Sequence, residues 1–280
     1  MSRPKKSLSQ NFLSDPRILA RIADAVGAGD GDTVLEIGPG PGGLTRELLK
    51  RAGRVVAIEK DRELAEKLGA LSVELQAQGS KLIAHEGDAL AADWHQLAGP
   101  DAIICGNIPY HITTPLIDKA LQPPRARRVV FLMQKEVAER IVAPPGGEEY
   151  GALSIGVQAV ATVERLFVVA RGSFHPIPKV DSAVVRFTPL AQPLIEDREV
   201  ADFRRFTVGI FSYRRKQLAR AIRELTGFSA DEAARVITRA LASMPADAPP
   251  FSADSRPEQV PPPGFVSLCR AVFDAGWRAK

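Results

Sequence analysis

With 45% hydrophobic and 25% charged residues, this 280-residue chain has the make-up of an ordinary globular protein, long enough for one large domain or a core domain with a small companion. No run approaches the roughly 20 apolar residues of a membrane span, and no apolar stretch follows the basic start MSRPKKSLSQ, so a cytoplasmic protein without membrane contact is expected. Two cysteines, Cys105 and Cys269, with neither CxxC spacing nor clustered histidines, exclude a disulfide framework and structural zinc; no metal is expected, and the net charge of +4 is mildly basic.

Residues 1–10 read as a flexible basic leader. Ser14 or Asp15 before Pro16 is a helix start, and Ile18, Ile22 and Val26 predict a helix over 17–26, closed by Gly27, Gly29 and Gly31. A strand over 33–37 leads into the glycine run 38–43 and a helix over 44–52. Glycines such as Gly38 and Gly40 let backbone N–H groups come close to a ligand. The next strand, 55–58, ends at Glu59, 21 residues after Gly38, where a carboxylate can take ribose hydroxyls. This βαβ unit suits an adenosine ligand, either an NAD-type dinucleotide or the adenosyl half of S-adenosylmethionine. A helix over 62–78 and a strand over 81–85 follow. Asp88, just beyond, is either an acceptor for the adenine amino group or a solvated turn residue.

The stretch DAIICGNIPY, 101–110, organises the rest. Residues 102–105 form an apolar, β-branched run typical of a strand buried on both faces, and the chain breaks at Gly106. Pro109 fixes its own φ and pushes Ile108 away from helical geometry, so 107–110 is a stiff turn at the strand's carboxyl end. The Asn107 amide and the Pro109 carbonyl can accept hydrogen bonds from an exocyclic base amine, and Tyr110 offers a stacking face. Such an amine is a poor nucleophile, and fixed acceptors favour its tetrahedral form without a strong base. The plainer alternative is an ordinary turn with a half-buried tyrosine.

Helices are expected over 113–121, 134–142 and 151–160, and strands over 129–133, 161–170 and 183–189, with a mobile loop at 143–150. The loop 174–182, stiffened by Pro176 and Pro178, presents Phe174 and Lys179 to a base and its phosphate, unless Phe174 simply fills a gap. Polar residues 191–200 mark a domain boundary, beyond which helices are expected over 202–225, 230–241 and roughly 264–277. A loop with seven prolines fills 243–264. Between 201 and 240 nine Arg or Lys face four Asp or Glu, a local excess of five positive charges. Arg214, Arg215 and Lys216, placed on the first of these helices, are a solvated face or a polyanion contact.

Eight motifs in order carry a resemblance: QNFL (10–13), LEIGPGPGGLT (35–45), IEKD (58–61), GDAL (87–90), GNIPYHITTP (106–115), YGALS (150–154), FHPIPKVDSAVV (174–185) and RRKQL (214–218). Together they resemble the ribosomal RNA adenine N6,N6-dimethyltransferases, and within them the small-subunit enzymes. The resemblance covers about residues 8–225 well and the remainder weakly. It implies an α/β, Rossmann-like class I methyltransferase sheet, mostly parallel with one antiparallel strand, over 1–190, and a small all-helical RNA- or ribosome-binding domain over 191–280.

It further implies S-adenosylmethionine as methyl donor, with Asn11, Leu13, Gly38, Gly40, Glu59, Asp88 and Asn107 at the cofactor. Asn107 and the Pro109 carbonyl would hold the adenine N6, Tyr110 and Phe174 would stack on the base, and Lys179, Arg214, Arg215 and Lys216 would contact RNA. The implied acceptors are two adjacent adenines in a hairpin loop of small-subunit rRNA within a pre-assembled subunit, and the enzyme would act as a monomer. The chain departs from the family pattern at His111, where Asn is frequent, and at Glu148 and Glu149, where a basic residue is common. The alternatives are a large-subunit rRNA adenine methyltransferase of the antibiotic-resistance type and an NAD-dependent oxidoreductase. The latter has no need of the Asn107–Tyr110 turn.

Overall fold

The structure, a computed structural model, describes residues 10–76 and 81–278. All of the expected leader except Gln10, and the end of the helix expected over 62–78, lie outside the described residues. The first half of the chain runs β1 (Phe12–Leu13), α1 (Pro16–Val26), β2 (Thr33–Ile37), α2 (Gly43–Leu49), β3 (Arg54–Glu59), α3 (Arg62–Gln76), β4 (Leu82–Glu86), α4 (Trp94–Ala98), β5 (Ile103–Asn107) and α5 (Thr113–Ala120). The second half runs β6 (Arg128–Gln134), α6 (Lys135–Val142), α7 (Ala152–Gln158), β7 (Ala161–Val169), β8 (Phe174–His175), β9 (Ser182–Pro189), α8 (Val200–Phe211), α9 (Leu218–Thr226), α10 (Ala230–Ala242) and α11 (Pro262–Asp274).

Seven strands form one sheet in the order β4-β3-β2-β5-β6-β9-β7. The pairings among β4, β3, β2, β5 and β6 are parallel, and β9 runs antiparallel to β6. Chain order reverses between β2 and β5, and the crevice beyond the carboxyl ends of two such strands is where open α/β sheets bind ligands. Strands β2, β3, β5 and β6 are buried almost throughout, as their largely apolar, Val- and Ile-rich runs lead one to expect of strands covered on both faces. Leu48, Leu68 and Val26, from helices α2, α3 and α1, close over them in one core. Asp15 caps α1 by accepting from the Arg17 N–H at 2.9 Å, and Gly27 ends it at φ +64°. No helix among the described residues is long and apolar enough to cross a membrane.

The chain divides into two compact units, residues 1–138 with 163–189 and residues 139–162 with 190–280. The second unit thus takes 139–162 as well as the region after 190, whereas the expected boundary put that segment in the first. Within the second unit, the loop expected to be mobile is tied down: the Gly146 N–H donates to the Glu258 carbonyl at 2.7 Å, and the buried Tyr150 hydroxyl donates to the Val260 carbonyl at 2.9 Å. The helix expected over 202–225 is broken at 212–217. The N–H groups of Leu218 and Ala219, which a continuous helix would spend internally, instead donate to the Ser255 and Ala253 carbonyls at 2.7 and 3.1 Å. Arg214, Arg215 and Lys216 therefore lie in a turn.

Gly106 in β5 is fixed by space: a Cβ there would stand 2.4 Å from the Ile37 carbonyl oxygen of β2. Gly106→Ala must push the two strands apart, and thermal or urea unfolding should show a loss of about 1–3 kcal/mol, the usual cost of an overpacked core.

Candidate active site

Glycines hold the loop after β2 in left-handed backbone at Gly38, Gly40 and Gly42, with φ of +65°, +56° and +83°. A Cβ at Gly40 would also meet the Phe12 ring at 3.0 Å, so the loop passes directly beneath β1. The Gly38 N–H donates to the Ile58 carbonyl at 3.0 Å, and the Gly40 N–H donates to Glu59 Oε2 at 2.9 Å. Glu59 Oε1 accepts from the Asp61 N–H at 2.8 Å. Burial raises the Glu59 carboxyl above its usual range, against the lowering effect of these N–H groups.

Asp88, beyond β4, is held by two donors: Lys60 Nζ on Oδ2 at 2.7 Å and the Leu90 N–H on Oδ1 at 2.9 Å. The Lys60 ammonium, first among the causes, keeps its carboxyl below the ordinary range, so Asp88 is an ionised acceptor. Behind this loop Lys119 of α5 donates to the Leu90 and Ala92 carbonyls at 2.8 and 2.7 Å.

After β5 the chain turns as Pro109 requires, and residues Tyr110–Ile112 form one 3₁₀ turn leading into α5. Asn107 Nδ2 donates to the Asn11 carbonyl at 2.9 Å. A carbonyl can only accept, so the amide nitrogen faces Asn11 and Oδ1 is left as the acceptor. The Pro109 carbonyl already accepts from the Ile112 N–H at 3.2 Å and the Thr113 hydroxyl at 3.3 Å. No donor to the neighbouring Ile108 carbonyl is found among the described residues, although the Ile108 N–H is spent on the Leu132 carbonyl at 3.1 Å. Tyr110 shares a hydrogen bond of 2.8 Å with the Ser182 hydroxyl of β9, which fixes its ring, and burial raises the phenol above its usual value.

These elements enclose two cavities of about 150 and 160 Å³ whose walls share Phe12, Gly38, Gly40 and Asn107. Asn11, Glu59, Asp88, Pro109 and Tyr110 line the first, with His111 and Ile108, and Leu13 lines the second. The structure thus brings together every expected cofactor residue and the Asn107–Tyr110 turn. Phe174 stays apart: it is 2% exposed, sits in the core and pairs with Leu13 across β1 and β8, so it gives no free stacking face where it stands. Lys179 is exposed on the loop before β9. In the second unit Arg214 is bound to Glu258 at 3.0 Å and to the Glu148 carbonyl at 3.1 Å, and Lys216 to Glu224 at 2.8 Å. Among the described residues no group of three or more His, Cys, Asp or Glu side chains is placed to hold a metal ion.

Sequence patterns gave no sign of the Asn11 carbonyl, of Ser182 or of Lys60, because each acts through a contact distant in the chain. Glu36 was equally silent. It is 1% exposed in β2, lines the second cavity, and accepts a 2.6 Å hydrogen bond from Thr45.

A profile of the ribosomal RNA adenine dimethylase family matches residues 1–244. The chain belongs to that family. Relatives in this dimethylase family include the ribosomal RNA small subunit methyltransferase A of Acidithiobacillus ferrooxidans, 39% identical over 282 residues with 100% of this chain and 98% of the relative covered. The protein of the same name from Pseudomonas aeruginosa is 40% identical over 275 residues, covering 97% and 96%. Among solved structures, a dimethyladenosine transferase from Plasmodium falciparum superposes with a TM-score of 0.78 at 26% identity, over 96% of this chain and 100% of that one. The 23S rRNA methyltransferase ErmE superposes with a TM-score of 0.68, also at 26% identity, covering 94% and 100%.

In this dimethylase the buried Glu36 makes a pH prediction. Burial, eased by Thr45 and aggravated by Glu59, pushes its carboxyl from an ordinary 4.5 up to about 8. The unfolded chain ionises first as pH rises, so the contribution to stability is complete below about pH 4.5 and is lost by about pH 8. Urea unfolding at pH 5 and pH 8 should show Glu36→Gln losing less stability between the two than the parent, by a few kcal/mol.

Proposed function

We propose that this protein transfers methyl groups from S-adenosylmethionine to N6 of two adjacent adenines in the hairpin loop near the 3′ end of small-subunit rRNA, four methyls in all. The setting proposed is a pre-assembled small subunit late in biogenesis, with the enzyme acting as a cytoplasmic monomer. Family membership and full-length relatives at about 40% identity make the chain an rRNA adenine dimethyltransferase of the small-subunit type. The large-subunit alternative rests on structural likeness to ErmE alone, and the oxidoreductase alternative has no support.

The observation that carries the mechanism is the oriented Asn107 amide. An adenine amine has two N–H bonds, and the turn offers two acceptors, Asn107 Oδ1 and a backbone carbonyl. The Pro109 carbonyl is occupied by two donors, so the carbonyl of Ile108, a residue that lines the same cavity, is proposed for the role first expected of Pro109. Acceptors on both hydrogens draw the nitrogen towards tetrahedral geometry and free its lone pair from the ring. After one methylation a single N–H remains, and one acceptor suffices to hold it. No strong base is needed, because the methylated nitrogen, momentarily cationic, gives its proton readily to water.

The residues present suit S-adenosylmethionine. Glu59 retains lone pairs for ribose hydroxyls, the ionised Asp88 suits an adenine amino group, and glycines give the loop close access to the donor. When bound, that donor supplies a sulfonium methyl whose carbon accepts the N6 lone pair as the C–S bond breaks. Tyr110, fixed by Ser182, is the stacking face for the extruded base, an interaction worth about 1–3 kcal/mol. Lys179 and the basic turn 214–216 are proposed RNA contacts, the latter as part of a helical RNA- or ribosome-binding region.

Tritiated methyl transfer to undermethylated small subunits, against large subunits and with the modified nucleoside identified, tests the assignment; label on large subunits or on another nucleoside would overturn it. Asn107→Ala should lower kcat by about 10²–10³ while RNA binding persists, as expected for loss of one preorganised acceptor or donor. Arg215→Ala should reduce the slope of log affinity against log salt by about 0.7–0.9, the value of one phosphate contact. Arg214→Ala should cost stability as well as RNA affinity, since its guanidinium is also engaged by Glu258.

A further inference from the structure

The loop between β8 and β9 has a feature that the proposed chemistry leaves unused. Ile177 is 66% exposed, and among the described residues only Val73, at 71%, is a more exposed large hydrophobic side chain. A single exposed aliphatic residue is commonplace on a protein surface, but this one is held out by its surroundings. Pro176 and Pro178 flank it; Pro178 is buried, and a following proline disfavours helical backbone at Ile177. The side chain is therefore presented on extended, stiff backbone rather than on a loose loop.

Both ends of the loop are fastened to the cavity. His175 pairs with Phe12, which lines both cavities, and Ser182 is bonded to the Tyr110 hydroxyl at 2.8 Å. Asp181 accepts from the N–H groups of Lys135 and Arg171 at 3.0 and 2.9 Å. Two residues of chain reach at most about 7 Å, so Ile177 stands no farther than that from His175, within roughly one base width of the register partner of Phe12. The exposed cations Arg171 and Lys179 lie to either side of it in the chain, and the carboxylate of Asp181, the acidic neighbour, accepts from the Arg171 N–H. An aliphatic tip between cations, on a loop anchored at His175 opposite the cavity-lining Phe12, matches the stacked interior and phosphate rim of an RNA strand.

We propose that Ile177 is a wedge: it enters the gap left in the RNA stack when the target adenine turns out into the cavity, and holds that gap open while Asn107 engages N6. This rests on the proposed RNA methylation and adds to it a positioning residue that does not touch the reacting atoms. The base must leave its stack at a cost, and an apolar side chain that fills the hole returns part of it while removing its own apolar surface from water.

The test uses the full chain with undermethylated small subunits, and a short RNA hairpin carrying 2-aminopurine beside the target adenine. Ile177→Ala should lower kcat/KM for RNA about tenfold, with KM for S-adenosylmethionine unchanged, and should reduce the rise in 2-aminopurine fluorescence at saturating enzyme. Ile177→Leu should restore both. Wild-type rates for Ile177→Ala would overturn the wedge. So would weakened binding to subunits with an undiminished fluorescence rise on the hairpin, which would make Ile177 an outer contact to RNA or to ribosomal protein. If the unaltered enzyme labels no adenine at all, the proposed function fails first, and separately.

Discussion

The close approach of β2 and β5 at their carboxyl ends is the constraint from which the site follows. Only hydrogen fits at position 106, because any side-chain carbon would press on the Ile37 carbonyl. With that clearance, the turn after β2 and the turn after β5 leave neighbouring strands side by side, and a Cβ at Gly38 would lie only 3.8 Å from the Asn107 carbonyl. Under the proposed function, one turn receives the methyl donor and the other the amine. Their separation is set by the hydrogen-bonded spacing of parallel strands, about 4.8 Å, rather than by long side chains. A reaction whose rate depends on a near-attack geometry gains from being held by backbone.

Three carboxyl groups surround this edge, and their environments divide them. Asp88, with Lys60 and a backbone N–H upon it, is ionised; Glu59 and Glu36, progressively more buried, are raised. A cationic ligand entering the cavities meets one fixed negative charge and two groups whose ionisation its arrival would favour. The arrangement is milder than three bare carboxylates, whose mutual repulsion and desolvation would oppose folding.

The parts of this fold that were legible in the sequence are those in which one short segment decides its own structure. Glycine runs, the Pro109 turn and the β-branched strands gave the sheet, its carboxyl edge and the cavity-lining residues Gly38, Glu59, Asp88 and Asn107 with little error in position. What escaped depended on distant partners. The two-residue strand β1 is too short to show alternation and exists because β8 pairs with it. The break in the helix expected over 202–225 has helix-compatible residues, but carbonyls at 253 and 255 offer the N–H groups another place to bond. For Phe174 the sequence left two readings, a stacking aromatic on a stiff loop or a residue filling a gap, and the β1–β8 pairing turns it into the core.

That small pairing also bears on why the acceptor is an amide. Strand β1 brings the Asn11 carbonyl against the side chain of residue 107, at a distance where only a donor is tolerable. An amide meets this with its nitrogen and keeps its oxygen as an acceptor. A carboxylate of the same shape would set a lone pair against a lone pair, and would either swing away or hold a proton at the wrong oxygen. The residue type at the centre of the site is thus constrained by the backbone carbonyl behind it, and under the proposed reaction it is constrained a second time by the amine to be held, and asparagine is the side chain that satisfies both.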